Sequence, residues 1–400
     1  MKRKKKRLWI LNISLLSVII ILLVIQMMMD VKHLGKQDQL AIESESSDPS
    51  ATPEVPVFIE PDETKTPTGE VQQEAPSPQP TKKPATVLFG GDVLIYNAAI
   101  NTYDTGGLDA LVDPALADLM RDCDYTMVNQ EFAFSTRGEP MEDKQYTFRS
   151  DPSYVKIFNQ LGVDMVTLAN NHTLDYGTEA LLDSCTTLEE SGIRYVGAGE
   201  NMERAKQIEY VDINGHRIAF IGASRVIPVA DWNATSTKPG MLTTYDPTLT
   251  LEQIKIANEN ADYVFIYVHW GKERETTPEE YQRTMAKQYI DAGADAVIGS
   301  HSHCLQGIEY YEGKPILYSL GNYIFGTSQY QTAVALLTVD GEGQVELKFQ
   351  PCTASGGKTS LLTNEEEIKE FNSYMESISF GINIDANQNV IATNYLTSKN

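Results

Sequence analysis

Residues 291–303 read DAGADAVIGSHSH, and the way this stretch ends decides the fold. A helix-like segment stops at Gly293, the apolar run Ala296-Val297-Ile298 follows, and His301 and His303 close it. An apolar run bounded by glycine and polar residues reads as a buried strand. Working outward, further runs of strand length lie at 86–90 (TVLFG), 125–128 (YTMV), 163–168 (VDMVTL), 217–221 (RIAFI), 263–268 (YVFIYV) and 315–318 (PILY). Helical patterns with proper ends separate several of them. Asp151-Pro152 opens one that stops at Gly162, with the aspartate as N-cap and the proline in the first turn. Thr277-Pro278-Glu279-Glu280 reads as a capping box for a helix ending at Gly293. Asn214-Gly215 reads as the tight turn of a hairpin. Strands alternating with helices, plus a hairpin, predict an α/β domain over 85–355 in which a mixed sheet is covered by helices. A helical segment from Asn364 to about Met375 and a polar tail form a separate stretch, 356–400.

In open α/β sheets chemistry collects just beyond the carboxyl ends of the strands. Asp92 follows TVLFGG. Asn129 and Glu131 follow YTMV, and Asn170, Asn171, His172 and Asp175 follow VDMVTL. His269 ends YVFIYVH, and His301 and His303 follow DAVI. Four of the six histidines of the chain fall at these ends. Nitrogen and oxygen donors from five strands are what a site for borderline or hard divalent cations requires, with no thiolate. Taken singly, each has a plainer reading: Asp92 as a helix N-cap, Asn171-His172 as turn residues, His269 as a ring packed on Trp270. The pair His301-x-His303 is more specific, because alternate residues of an extended segment face the same way. Two imidazoles there can hold one ion or two adjacent ions. Cys304 reads as a packing residue facing away from them.

The N-terminus is of another kind. Residues 2–7 are all Lys or Arg, and 8–29 (LWILNISLLSVIIILLVIQMMM) carry no charge. Twenty-two helical residues cover the roughly 30 Å hydrocarbon core of a bilayer. The basic segment 1–7 is expected to stay cytoplasmic, sending the rest of the chain outside. The rival, a cleaved signal peptide, has a shorter apolar region and a small-x-small site, which MMMDVKHLGK lacks. Residues 30–84 are rich in Pro, Glu, Ser and Thr and read as a disordered stalk. The chain carries a net charge of −23, and its basic N-terminal cluster leaves everything beyond more acidic still. Such a surface repels nucleic acid, which is excluded as a partner. Cys123, Cys185, Cys304 and Cys352 are scattered, with no spacing that implies a pairing.

The blocks FGGDVLI (89–95), VNQEFAFSTRG (128–138), LANNHTLDYG (168–177), VHWGKE (268–273) and GADAVIGSHSHCLQGIEYYEGKPILYSLGNYIF (293–325) resemble the CapA family. That is the capsule (poly-γ-glutamate) synthesis group within the calcineurin-like metallophosphoesterase superfamily. The resemblance implies a layered sandwich of mixed β-sheets flanked by helices, with a centre of two divalent ions (Mn, Zn, Fe or Mg) at the strand ends. It implies Asp92 as first ligand, Glu131 as bridge, and Asn171, His269, His301 and His303 as the remaining ligands. His172 would protonate a leaving group or hold an oxyanion, and Asp175 would orient it. Two positions depart from the superfamily pattern: Leu94 stands where a histidine is usual, and Glu131 replaces an aspartate. A weakly held second ion, or a single ion, would follow.

Two functions are therefore expected of the chain. One is an extracytoplasmic metal-dependent hydrolase or transferase, single-pass in the cell membrane, acting on a phosphoester or on the amide of an anionic surface polymer. The other is a non-catalytic accessory subunit that binds the nascent polymer and the synthase or export subunits of capsule assembly. A module that merely presents itself on a stalk is the plainest reading.

Overall fold

The computed structural model describes residues 82–393. The expected cytoplasmic segment 1–7, the anchor 8–29 and all but the last three residues of the stalk 30–84 lie outside the described residues. Among the described residues no helix is long and apolar enough to cross a membrane.

Two sheets pack face to face with helices on both outer sides. The strands of the larger sheet are β1 (Ala85–Val93), β2 (Tyr125–Gln130), β3 (Met165–Thr167) and β4 (Arg194–Val196). Those of the smaller sheet are β5 (Glu209–Ile213), β6 (His216–Ser224), β7 (Tyr263–His269), β8 (Ala296–Ser300), β9 (Ile308–Tyr311) and β10 (Lys314–Leu317). The chain then returns to the larger sheet with β11 (Asn322–Ile324), β12 (Tyr330–Val339), β13 (Val345–Ser355) and β14 (Lys358–Leu361). The strand orders are β14-β13-β12-β1-β2-β3-β4, with β11 beside β1, and β9-β10-β8-β7-β6-β5. β1 to β4 run parallel, as do β6, β7, β8 and β10, so each sheet presents one edge of carboxyl ends.

The alternation of side chains explains why the strands read as unbroken apolar runs. In β7, Tyr263, Phe265 and Tyr267 face the other sheet while Val264, Ile266 and Val268 face helices. A strand buried on both faces has no polar side to show. Phe89 of β1 sits in the inter-sheet layer, edge-on to Phe265 at 5.8 Å and tilted against Phe220 at 6.4 Å. Burying one such ring stabilises by about 2–3 kcal/mol, and truncating it to alanine costs about 3–5 kcal/mol. Helices α1 (Pro114–Asp122), α2 (Lys156–Leu161) and α3 (Gly177–Glu190) cover the larger sheet through Leu116, Met120, Phe158 and Leu181. Helices α4 (Thr248–Asn260) and α5 (Glu280–Asp291) cover the smaller one through Ile254 and Tyr289.

Several sequence expectations hold and others shift. Asp151 caps its segment by accepting from Ser153 N at 2.9 Å, and Gly162 ends α2 in the left-handed region. Asn214 (φ 52°) and Gly215 (φ 88°) make the β5–β6 hairpin turn. The cap of α5 lies two residues later than expected. Its N-cap is Glu279, whose backbone N–H donates to Gln282 Oε1 at 2.8 Å. Gln282 is fully buried and also donates to Gln306, so it is the residue held in place to cap. The run at 163–168 yields strand only over Met165–Thr167, because Gly162 is still turning the chain out of α2.

The boundary at 355 is not a domain edge. β14 pairs with β13, and Phe371 and Met375 of α6 (Glu365–Ile378) insert into the inter-sheet core. Ile382 and Val390, from a further short hairpin, join them. Residues 358–392 belong to the same packed body.

Candidate metal centre

Asp92 does not cap a helix. β1 continues through Gly90-Gly91 to Val93, with a bulge between Phe89 and Asp92. The glycines permit close approach: a Cβ on Gly91 would lie 1.9 Å from Gly321 O, to which Asp92 N donates at 2.9 Å. The Asp92 carboxylate accepts from Asn129 Nδ2 at 2.8 Å and from His301 N at 3.3 Å, and lies 3.6 Å from His303 Nδ1.

Glu131 follows β2 and is fully buried, yet neither carboxylate oxygen has a hydrogen-bond partner. One oxygen stands 3.8 Å from His269 Nε2 and 3.8 Å from His303 Nε2. Burial, then the neighbouring Asp92, push its carboxyl well above the usual range. His301 Nδ1 is likewise buried without a partner. Orphaned buried acceptors of this kind each cost free energy on the order of 1–3 kcal/mol, more for a charge. A cation placed among them would satisfy all of them together.

Two overlapping groups have ligand atoms within 4.8 Å of one another: Glu131, His269 and His301, and Asp92, Glu131 and His303. Glu131 belongs to both. Asn171 joins the first group, its Oδ1 2.8 Å from His269 Nε2. All six residues expected as ligands from the sequence are therefore brought together, and the nitrogen and oxygen donors suit a divalent ion. Leu94 is packed in the apolar core and offers nothing to the second, outer group of Asp92, Glu131 and His303. Cys304 belongs to neither group, and all four cysteines are free thiols.

The reason the two histidines converge differs from the one expected. β8 ends at Ser300, and His301 (φ 94°) and His303 (φ 56°) both adopt the left-handed region, which is costly for side chains of this kind. They reach the cluster through a strained turn, not as alternate residues of a strand. Burial lowers His301 to about 3 and takes His269 well below the usual imidazole range. Burial alone would lower His303 too, but Glu131 and Asp92 outweigh it and hold the ring near 10.

The polar groups behind the cluster fix its geometry. Ser300 Oγ lies 2.9 Å from His269 Nδ1, and Asn322 Oδ1 lies 2.8 Å from His303 Nδ1. Asn170 donates to Asn129 Oδ1 at 2.9 Å and to Gln130 O at 2.7 Å, and accepts from His172 N at 3.0 Å. Such contacts set which ring nitrogen would face an ion held there.

His172 Nδ1 lies 2.6 Å from Asp175 Oδ2, as its expected orienting role requires, and the ring packs on Phe148. Burial lowers the pKa of His172, so the resting ring is neutral, with Nδ1–H donating to Asp175. Lys144 was not anticipated. Its ammonium donates to Asp175 Oδ1 and to Asn171 O, and lies 3.2 Å from His172 Nδ1. Nothing in GEPMEDKQYTF marks this lysine out, because it arrives from a loop without periodicity. His172, Asn171, His303, Lys144, Arg274 and Phe325 are among the residues lining a cleft of about 350 Å³.

The family of bacterial capsule synthesis protein PGA_cap matches residues 86–327. Capsule biosynthesis protein CapA of Bacillus anthracis is 34% identical over 250 residues, 60% of this chain and 59% of that protein. PGA biosynthesis protein CapA of Bacillus subtilis is 32% identical over 242 residues, 59% of this chain and 62% of that protein. The match thus spans about three fifths of either relative. Among solved structures, the sulfate thiohydrolase SoxB of Thermus thermophilus is similar at a TM-score of 0.39 and 15% identity, over 75% of this chain and 61% of that one. That likeness is too distant to speak for function.

Proposed function

The chain belongs to the bacterial capsule synthesis protein PGA_cap family, and on that premise we propose that it is a divalent-metal hydrolase or transferase acting on a cell-surface polymer. The observation that carries this reading is Glu131: a buried carboxylate with both oxygens unpartnered, shared by two groups of potential ligands. Asp92, Glu131 and His303 would hold one ion, and Glu131, Asn171, His269 and His301 the other. Bound there, divalent ions polarise a carbonyl or phosphoryl oxygen and make water nucleophilic at neutral pH.

The residues of the chain do the rest. His172 lines the cleft with Nδ1 held by Asp175, and its Nε2 would exchange a proton with the departing oxygen or nitrogen. Asp175 steadies the positive charge that develops on the ring when Nε2 is protonated. Lys144 ties the 141–148 loop over that pair and makes the cleft favourable to an anion. The substrate we infer is a phosphoester or the γ-glutamyl amide of an acidic polymer. The basic cluster and uncharged run of the N-terminus support a single-pass location with the described domain outside the cell membrane, near the synthase and export subunits of capsule assembly.

A second reading, an accessory subunit that binds polymer without cleaving it, is favoured by Leu94, which leaves the outer group with three donors. Metal analysis of the purified full chain after exposure to Mn²⁺ or Zn²⁺ tests the premise. Turnover on a phosphodiester and on a γ-linked glutamate oligomer then separates the readings. Metal uptake without turnover on either substrate selects the accessory subunit, and no metal uptake removes the hydrolase.

A further inference from the structure

Arg225 is the first residue after β6, one position beyond Ser224, which stands opposite His269 in the sheet. Its backbone N–H donates to His269 O at 2.8 Å, which places it on the same carboxyl edge as the ligand cluster. Its guanidinium lies between two tyrosine rings, 4.2 Å from the centroid of Tyr245 and 4.9 Å from that of Tyr281. The Tyr281 hydroxyl is fixed by accepting from Gly271 N at 2.6 Å, whereas Tyr245 is 58% exposed.

Nε and Nη1 of Arg225 are buried and have no hydrogen-bond partner. Arg283 and Arg194, by contrast, are paired, with Glu309 at 3.0 Å and with Glu209 at 3.1 Å. Stacking between aromatic faces holds a guanidinium plane without using its N–H groups, which remain to be filled. Nε–H and Nη1–H point along different edges of the guanidinium, so each offers a single charge-assisted contact to an oxygen of a carboxylate or phosphate.

We propose that Arg225, clamped by Tyr245 and Tyr281, is a binding site for an anionic group, a carboxylate or a phosphate, of a chain that continues past the cluster. That the group belongs to the polymer rests on the proposed function. That the site takes an anion rests on the clamp alone.

The test uses the full chain, stripped of metal by a chelator that is then dialysed away, so that no ion contributes to binding. Calorimetry measures a γ-linked glutamate pentamer and, separately, inorganic phosphate at low ionic strength. Arg225→Gln is expected to weaken the probe that binds by about ten- to a hundredfold, the size of a charge-assisted contact. Arg225→Lys, which keeps the charge and loses the planar group held by the two rings, should recover only part of that. Tyr245→Ala, which truncates an exposed ring, should weaken binding in the same direction and covers the case in which Arg225→Gln does not fold. Loss with the pentamer alone identifies carboxylates as the ligand, and loss with phosphate identifies a phosphorylated chain. Equal affinity in wild type and variants, or no binding of either probe to wild type, overturns the proposal. Should the wild type neither hold metal nor turn over substrate while the Arg225→Gln loss persists, the hydrolase falls and the anion site stands.

Discussion

The inner and outer halves of the cluster share Glu131 but are built differently. The inner half has Asn171, His269 and His301, rings that burial keeps deprotonated, and a buried orphan nitrogen on His301. The outer half has Asp92 and His303 beside an apolar Leu94, and its imidazole is held protonated by the carboxylates facing it. The inner rings are free to donate to an ion, whereas the outer ring would first have to give up a proton. The difference teaches that two ion positions predicted from one motif need not be equally strong.

The change with the largest expected effect is at the residue both halves need. Glu131→Gln keeps the shape and removes the shared charge, so bound metal should fall from both positions by more than about a hundredfold, beyond what changes behind the ligands cost. Metal analysis of the folded variant checks this, and retained metal would remove Glu131 as the bridge. The ion-free protein gives an independent readout. The folded carboxyl of Glu131 binds its proton more tightly than the ordinary value of 4.5, so ion-free stability falls as pH rises above that value. Glu131→Gln should flatten this fall.

Next comes His172, which touches neither half as a ligand. His172→Ala should keep its metal and lose about 10²–10⁴-fold in turnover, the size of a positioned proton donor or acceptor. His172→Gln should recover little if proton transfer dominates and more if the side chain only holds an oxyanion. Unchanged turnover in a metal-loaded His172→Ala protein would confine the residue to closing the turn with Asp175.

The third change breaks the comparison directly. His301→Ala should remove the tighter ion and His303→Ala the weaker one, read as two separate steps in a metal titration. Because His303 stays protonated up to about 10, the outer ion must displace that proton. Its affinity should therefore rise about tenfold per pH unit across the neutral range, whereas the inner imidazoles contribute no such slope. A single binding step, or equal slopes for both ions, would show the halves to be alike.

How much of this was legible in the sequence depends on what kind of constraint set each residue. Strands such as Tyr263–His269 are apolar on both faces because both faces are buried, and that shows in one dimension. The six candidate ligands were legible because each lies at or just beyond the carboxyl end of a strand, where parallel sheets gather their ends. The reason given for His301 and His303 was not, since a left-handed turn at a histidine leaves no periodic trace. Residues 358–392 looked like a tail because α6 buries only Phe371 and Met375 beneath an acidic surface. Lys144, Asn322 and Arg225 act across long sequence separations, and only the fold brings them to their partners.

The smallest expected effect concerns Lys144, which touches the inner half only through the carbonyl of Asn171. Lys144→Met keeps the length of the side chain and its packing against Trp232 while removing the charge. Asp175 then keeps His172 and the Phe148 backbone N–H, which donates to it at 2.7 Å, but loses its cation. A buried carboxylate without that partner favours a positive imidazole, and removing the Lys144 charge acts the same way on the ring. The pKa of His172 should therefore rise, and the limb of the turnover profile that reports it should move to higher pH. Turnover at neutral pH should change by only about tenfold, less than in His172→Ala, because the proton-transferring ring remains. Metal content should not change in either half. A purely structural lysine would lower the unfolding midpoint and leave the pH profile in place; a shifted profile with metal retained marks Lys144 as setting the charge on His172.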